Sequence, residues 1–183
     1  MTAPRRQGAI ILGLGNVLCR DDGIGVAAVA AIARKFRQPP GLRFIDGGTL
    51  GLSLLPILED AEAAILVDAI RADAPPGTVV RLEGCDVTHA AAHRLSVHQV
   101  GVADLLGGAR LRGRLPARLV LCGVVPASIE LGVERTPAVE AALPALIEAV
   151  VREAEALGYV LFRRSPHEVD AARGRGVHHV LGL

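Results

Sequence analysis

Short apolar runs alternate along this chain with longer stretches in which apolar residues recur at helical spacing. Residues 9–14, 42–46, 63–68, 78–82 and 118–122 are too short for helices and are bounded by Gly, Pro or charge, so they predict strands. The spacing predicts helices over 23–36, 50–59, 99–106 and 137–157. Alternation of the two implies an α/β fold whose mostly parallel sheet is covered on both faces. Ala74-Pro75-Pro76-Gly77 is too short for a crossover helix, so the strand after it should run antiparallel near an edge. Thr136-Pro137 reads as an N-cap followed by a first-turn proline, Pro144 as a kink and Gly158 as the closing glycine of the last helix. From Arg163 onward the chain becomes rich in Arg, Gly and His and loses its period. One domain is expected over 1–162 and an extension over 163–183.

Composition narrows the function classes. The 183 residues fit one domain, and 51% hydrophobic against 21% charged excludes disorder for most of the length. A net charge of +1 and 2% aromatic content supply neither the field nor the stacking faces that nucleic acids need, so none is expected as a partner. No apolar run approaches about 18 residues, so no membrane span is expected. Cys19, Cys85 and Cys122 are an odd number without a C-x-x-C pair and read as reduced thiols of a cytoplasmic protein. Arg5-Arg6 before the apolar stretch 8–18 suggests an export signal, but that stretch runs straight into Arg20-Asp21-Asp22 and reads better as a buried first strand.

In such a sheet, ligands sit outside the carboxyl ends of the strands where strand order reverses. Three residues with metal-ligating chemistry are predicted there. The first strand leads into a glycine-rich loop, Gly13 to Gly25, holding Asp21 and Asp22 where a helix should start. Asp21 is the simplest N-cap, leaving Asp22 in the first turn, where a helix N-terminus favours negative charge. The third strand ends its apolar run on Asp68, which packing does not explain, although a turn former would. Ser96-Val97-His98-Gln99 fits a capping box and puts His98 in a first turn, where neutral imidazole, the metal-ligating form, is favoured. Two carboxylates and an imidazole suit a borderline divalent ion with open positions. Asp46-Gly47-Gly48-Thr49 after the second strand reads as a close turn with Thr49 as a helix cap. Gly13-x-Gly15 with Asp46 is also half of a nucleotide or S-adenosylmethionine fingerprint, but the third glycine position holds Leu18 and two carboxylates stand where pyrophosphate would bind.

The segment 11–26 resembles the opening motif of the nickel-iron hydrogenase maturation endopeptidases. Asp46-Gly47-Gly48-Thr49, Leu66-Val67-Asp68-Ala69, Leu95-Ser96-Val97-His98-Gln99 and Cys122-Gly123-Val124-Val125-Pro126 leading to Thr136-Pro137 agree in order. The resemblance covers about residues 8–158 and implies an α/β/α sandwich around a five-stranded sheet ordered 2-1-3-5-4, with the fourth strand antiparallel. It also implies Asp22, Asp68 and His98 as the metal-binding and catalytic residues, and a nickel-iron hydrogenase large-subunit precursor as the client; the protease is expected to be a monomer. The nickel would arrive with that client and be held weakly by the isolated protein. Val125 stands where the family often has Gln or Glu, and Asp22 where many members have Glu. Cys19 is a nucleophile candidate outside the family chemistry. A nonenzymatic nickel chaperone could use the same three ligands but would leave its client full length.

Overall fold

The computed structural model describes residues 8–92, 100–171 and 178–179. Five strands form where the apolar runs stand: β1 (Ala9–Leu14), β2 (Leu42–Gly48), β3 (Ala63–Ala69), β4 (Val79–Glu83) and β5 (Arg118–Val124). β1 pairs in parallel with β2 and β3, β3 pairs in parallel with β5, and β4 runs antiparallel along β5. The order 2-1-3-5-4 and the reversed fourth strand thus match expectation. A two-residue sixth strand, β6 (His178–His179), was not foreseen; it adds in parallel beside Ile45 and Asp46 of β2.

Gly77 permits the reversal into β4 because it adopts φ +86°, which L side chains rarely tolerate. Its N–H donates to the Val125 carbonyl, and the Val125 N–H donates to Thr78. Val125 is itself buried.

Every residue of β1 and β3 is buried, as parallel strands covered on both faces require. Strand pleating sends alternate side chains to opposite faces. Ile11, Ile65, Val67 and Val120 therefore pack with Ile24, Val29 and Ile32 of α1 (Ile24–Lys35) and Val139, Leu146 and Val150 of α5 (Pro137–Ala156). Ile10, Leu12, Leu66 and Leu121 pack with Leu58 of α2 (Leu55–Asp60), Val87 of α3 (Cys85–Ala92) and Leu105 and Leu106 of α4 (Val100–Leu111). Burying one such side chain contributes roughly 1.5–3 kcal/mol, so two mainly aliphatic layers carry the fold, with Phe36 and Phe44 the aromatic residues buried in the first of them.

Three local expectations need correction. α3 has no counterpart among the predicted helices, because eight residues of weak periodicity give little signal. α4 continues to Leu111 instead of stopping at 106, since Gly107 and Gly108 do not end it; Gly108 faces Leu52 and Leu55. Thr49 caps nothing: the chain turns from β2 into a 3-10 turn at Gly51–Leu54 that has no side-chain cap. Asp46 instead accepts the Gly48 N–H at 3.0 Å. The end of α5 follows expectation, with Gly158 at φ +90° and the Tyr159 N–H returning to the Ala154 carbonyl.

Beyond α5 the chain crosses the end of α1. Arg37 N–H donates to Phe162, Arg164 N–H donates to Lys35, and the Arg163 guanidinium lies 5.7 Å from the Phe36 ring centre. Ser165 and Glu168 exchange hydrogen bonds as a capping box at the start of α6 (Pro166–Ala171), and Glu168 pairs with Arg37 at 2.8 Å.

Candidate active site

Glycine backbones bring the acidic residues together at the carboxyl ends of β1 and β3. A Cβ on Gly13 would come within 2.6 Å of the Gly25 carbonyl, and one on Gly25 would strike the carbonyls of Leu14 and Val67. The start of α1 therefore lies directly on β1 and β3, with only peptide groups between them. Gly15, at φ +115°, sits between the Asp22 carbonyl and Asp68, whose Oδ1 is 3.6 Å from where a Cβ on Gly15 would be.

Asp22 is 1% exposed, in the 3-10 turn Arg20–Gly23. Its Oδ2 accepts the Asn16 N–H at 2.7 Å, which aims the carboxylate at the end of β1. Asp68 is 3% exposed, and its Oδ1 accepts the Ala69 N–H at 2.8 Å. By strand parity Asp68 falls with Ala64 and Leu66, on the face that α2 and α4 cover. Asp22 and Asp68 thus flank one glycine at the switch point where strands β1 and β3 send their connections apart. His98 and the capping box from Ser96 to Gln99 lie outside the described residues. Among the described residues no three His, Cys, Asp or Glu side chains form a metal-binding group.

Asp21 is not the helix cap expected of it. The residue before α1 is Gly23, without a side-chain cap. Asp21 is fully buried, and its carboxylate reaches the loop between β5 and α5. Oδ2 accepts the N–H groups of Ala127 at 2.9 Å and Ser128 at 3.0 Å and the Thr136 hydroxyl at 2.8 Å, while Oδ1 accepts the Thr136 N–H at 2.7 Å. Thr136 is the residue before α5, yet its hydroxyl serves Asp21 and not the helix. One carboxylate thereby fastens both ends of loop 126–136 to the turn that carries Asp22. Sequence reasoning missed this because the partners stand more than a hundred positions apart; the available signal was two adjacent acids where one cap was needed.

Neighbouring bonds tighten the junction. Gly132 N–H donates to Leu18, Arg20 N–H donates to Gly132, and Cys19 and Gly132 form a parallel bridge. Arg20 takes φ +47°, a conformation that costs a non-glycine residue about 1–2 kcal/mol. Cys19 is buried at this bridge. The second buried thiol, Cys122, is pushed up to about 12, chiefly by burial. The first half of the same loop, with Arg71, lines an open cleft of about 370 Å³ just beyond the end of β3.

Comparison with known proteins agrees with this geometry. The family model HycI, hydrogenase maturation protease, matches residues 26–153. The hydrogenase expression/formation protein HupD of Rhodobacter capsulatus is 40% identical over 160 residues, spanning 86% of this chain and 76% of that protein. The hydrogenase 2 maturation protease of Escherichia coli (strain K12) is 36% identical over 143 residues, 78% of this chain and 87% of that one. Among solved structures, the hydrogenase maturating endopeptidase HybD from E. coli superposes with a TM-score of 0.82 at 34% identity, covering 86% of this chain and 98% of that chain. The NiFe hydrogenase maturation protease HybD from Thermococcus kodakarensis gives 0.67 at 30% identity, covering 80% and 99%. The strand order, the glycine-packed switch point and these matches together identify the chain as a peptidase that belongs to the hydrogenase maturation protease family.

Proposed function

We propose that this protein removes the C-terminal extension of a nickel-iron hydrogenase large-subunit precursor after nickel has been inserted, and that Asp22, Asp68 and His98 dock it on the client's nickel. The observation that supports this reading is the placement of Asp22 and Asp68 beside Gly15, Asp22 through its backbone carbonyl and Asp68 through its carboxylate, each with one carboxylate oxygen oriented by a backbone N–H. Neither acid is placed for packing. Two carboxylates and an imidazole without a thiolate make a donor set of limited selectivity, which suits weak, exchangeable contact with an ion already held by client cysteines. Gripping that ion would hold the scissile bond beside the site, and proximity supplies much of the rate enhancement in such a docked complex.

Cys19 is buried at a backbone bridge, which speaks against thiol attack. The reading includes a monomer working in the cytoplasm. Its three cysteines are all free, and among the described residues no helix is long and apolar enough to cross a membrane.

The test is incubation with nickel-loaded and nickel-free precursor, followed by intact mass. Only the loaded precursor should lose its extension. Full-rate processing of nickel-free precursor by extensively chelated enzyme would refute nickel docking, and a client that binds but stays full length would point to a chaperone.

A further inference from the structure

Arg20 stands two residues before Asp22 in the same 3-10 turn, and its setting is unusual in three ways. Its backbone holds φ +47°, which asparagine or glycine would tolerate better than arginine does. Its stem lies across Gly132 of loop 126–136, where a Cβ would stand 3.1 Å from the Arg20 Cγ and Nε, so the missing side chain at 132 makes the seat. Its Nε is buried there without a hydrogen-bond partner. The two acids beside it do not neutralise it. Asp21 is committed to Ala127, Ser128 and Thr136, Asp22 accepts the Asn16 N–H, and among the described residues the Arg20 guanidinium forms no ion pair. Neither terminal nitrogen is a buried unpartnered atom, so both are open to a ligand.

Backbone strain and a buried donor without a partner both cost stability, and such costs gather where a protein binds or reacts. We propose that Arg20 is a specificity-determining residue that receives a carboxylate of the client at the cleavage site, through the terminal nitrogens of its guanidinium. The inference rests on the peptidase reading given above. A guanidinium fork matches a carboxylate with two parallel N–H bonds. Charge shows the need for it: Asp21 and Asp22 lie in this turn and Asp68 at the neighbouring strand end, and together they repel a client carboxylate brought to them. The reaction makes one such group, because hydrolysis adds water across the peptide bond and leaves a carboxylate on the matured subunit and an ammonium on the released extension. An acidic client side chain beside the cut is the other source of the same chemistry.

The test uses the full-length protein, with steady-state processing of nickel-loaded precursor and separate binding measurements on immobilised precursor and on matured subunit. Arg20→Asn suits the positive φ and removes the charge. It should melt no lower than wild type and weaken binding about tenfold, the loss expected when one charge-assisted contact goes. Arg20→Met and Arg20→Lys share much of the stem and differ in charge, so they carry the comparison if Arg20→Asn does not fold. Arg20→Met should bind as weakly as Arg20→Asn, and Arg20→Lys should recover to within about threefold of wild type. A raised KM and weaker binding for the precursor place the carboxylate on a side chain present before the cut. A loss confined to the matured subunit places it at the new C-terminus. A folded Arg20→Asn that binds both partners as wild type does overturns the proposal, and so does an Arg20→Met that binds as well as Arg20→Lys. A wild-type protein that leaves nickel-loaded precursor full length removes the peptidase reading, while the binding comparison still decides the role of Arg20.

Discussion

Asp21 and Asp22 are neighbours with opposite duties, and stability measurements separate them. Asp21→Ala strips the acceptor from three backbone N–H groups and one hydroxyl. An unsatisfied buried donor costs about 1–3 kcal/mol. Loop 126–136 reaches the surface, so water can enter once the carboxylate is gone; the lower figure for each of the four donors gives about 4 kcal/mol. At roughly 2–4 °C per kcal/mol for a chain of this size, the melting temperature should fall by about 8–16 °C. Asp22→Ala loses one hydrogen bond, from the Asn16 N–H, and should cost about 1 kcal/mol, or about 2–4 °C. Thr136→Val, which removes the hydroxyl and keeps the N–H bond, belongs with Asp22→Ala in magnitude. Circular-dichroism melts of the three variants at pH 7 make the comparison directly. If Asp21→Ala melts within about 4 °C of wild type, or Asp22→Ala loses as much as Asp21→Ala, the division of labour is wrong.

Three further outcomes are expected. Asp22→Ala, Asp68→Ala and His98→Ala should each abolish processing of nickel-loaded precursor while leaving a folded protein; unchanged cleavage by Asp68→Ala would sink the ligand assignment. Iodoacetamide at pH 8 should add one label, at exposed Cys85, because Cys19 is buried and the Cys122 thiol, raised to about 12, is thiolate in only about one molecule in ten thousand; Cys19→Ser should keep most processing activity. The Ser165 backbone N–H, Arg37 and the Ser165 hydroxyl hold the Glu168 carboxyl at about 2, below its ordinary 4.5, so its contribution to docking α6 is complete above that ordinary value and is lost as the pH falls toward 2. Amide spectra of residues 163–171 should therefore be stable at pH 5, and loosening there would refute the contact; truncation after Phe162 should still leave a protein that cuts.

Strand positions and both aliphatic layers were legible because short apolar runs and helical patterns mark the buried residues, and the reversed β4 because the connection at residues 74–77 is too short for a crossover helix. The placement of Asp68 at the end of β3 was legible as a charge that packing does not explain, and that of Asp22 as the second of two acids where one cap was needed. What stayed hidden depended on distance in the chain. No local pattern pairs Asp21 with Ala127, Ser128 and Thr136, and short-range chemistry favoured capping for both Asp21 and Thr136. α3 is too short to display a period. β6 is two residues long, too short to display a strand pattern in the sequence.

The glycine packing of the switch point divides the loop's positions by what they can become. An alanine at 13, 15, 23 or 25 first meets backbone atoms, which cannot swing aside, so those positions have no graded intermediates between glycine and disruption. The separation between the Asp22 and Asp68 anchors is consequently set by peptide groups, which have no rotamers to adjust. Val17 and Leu18, a few residues away, face solvent and carry no such restriction. Over a lineage, the inner half of this loop should therefore stay fixed while its rim is free to vary.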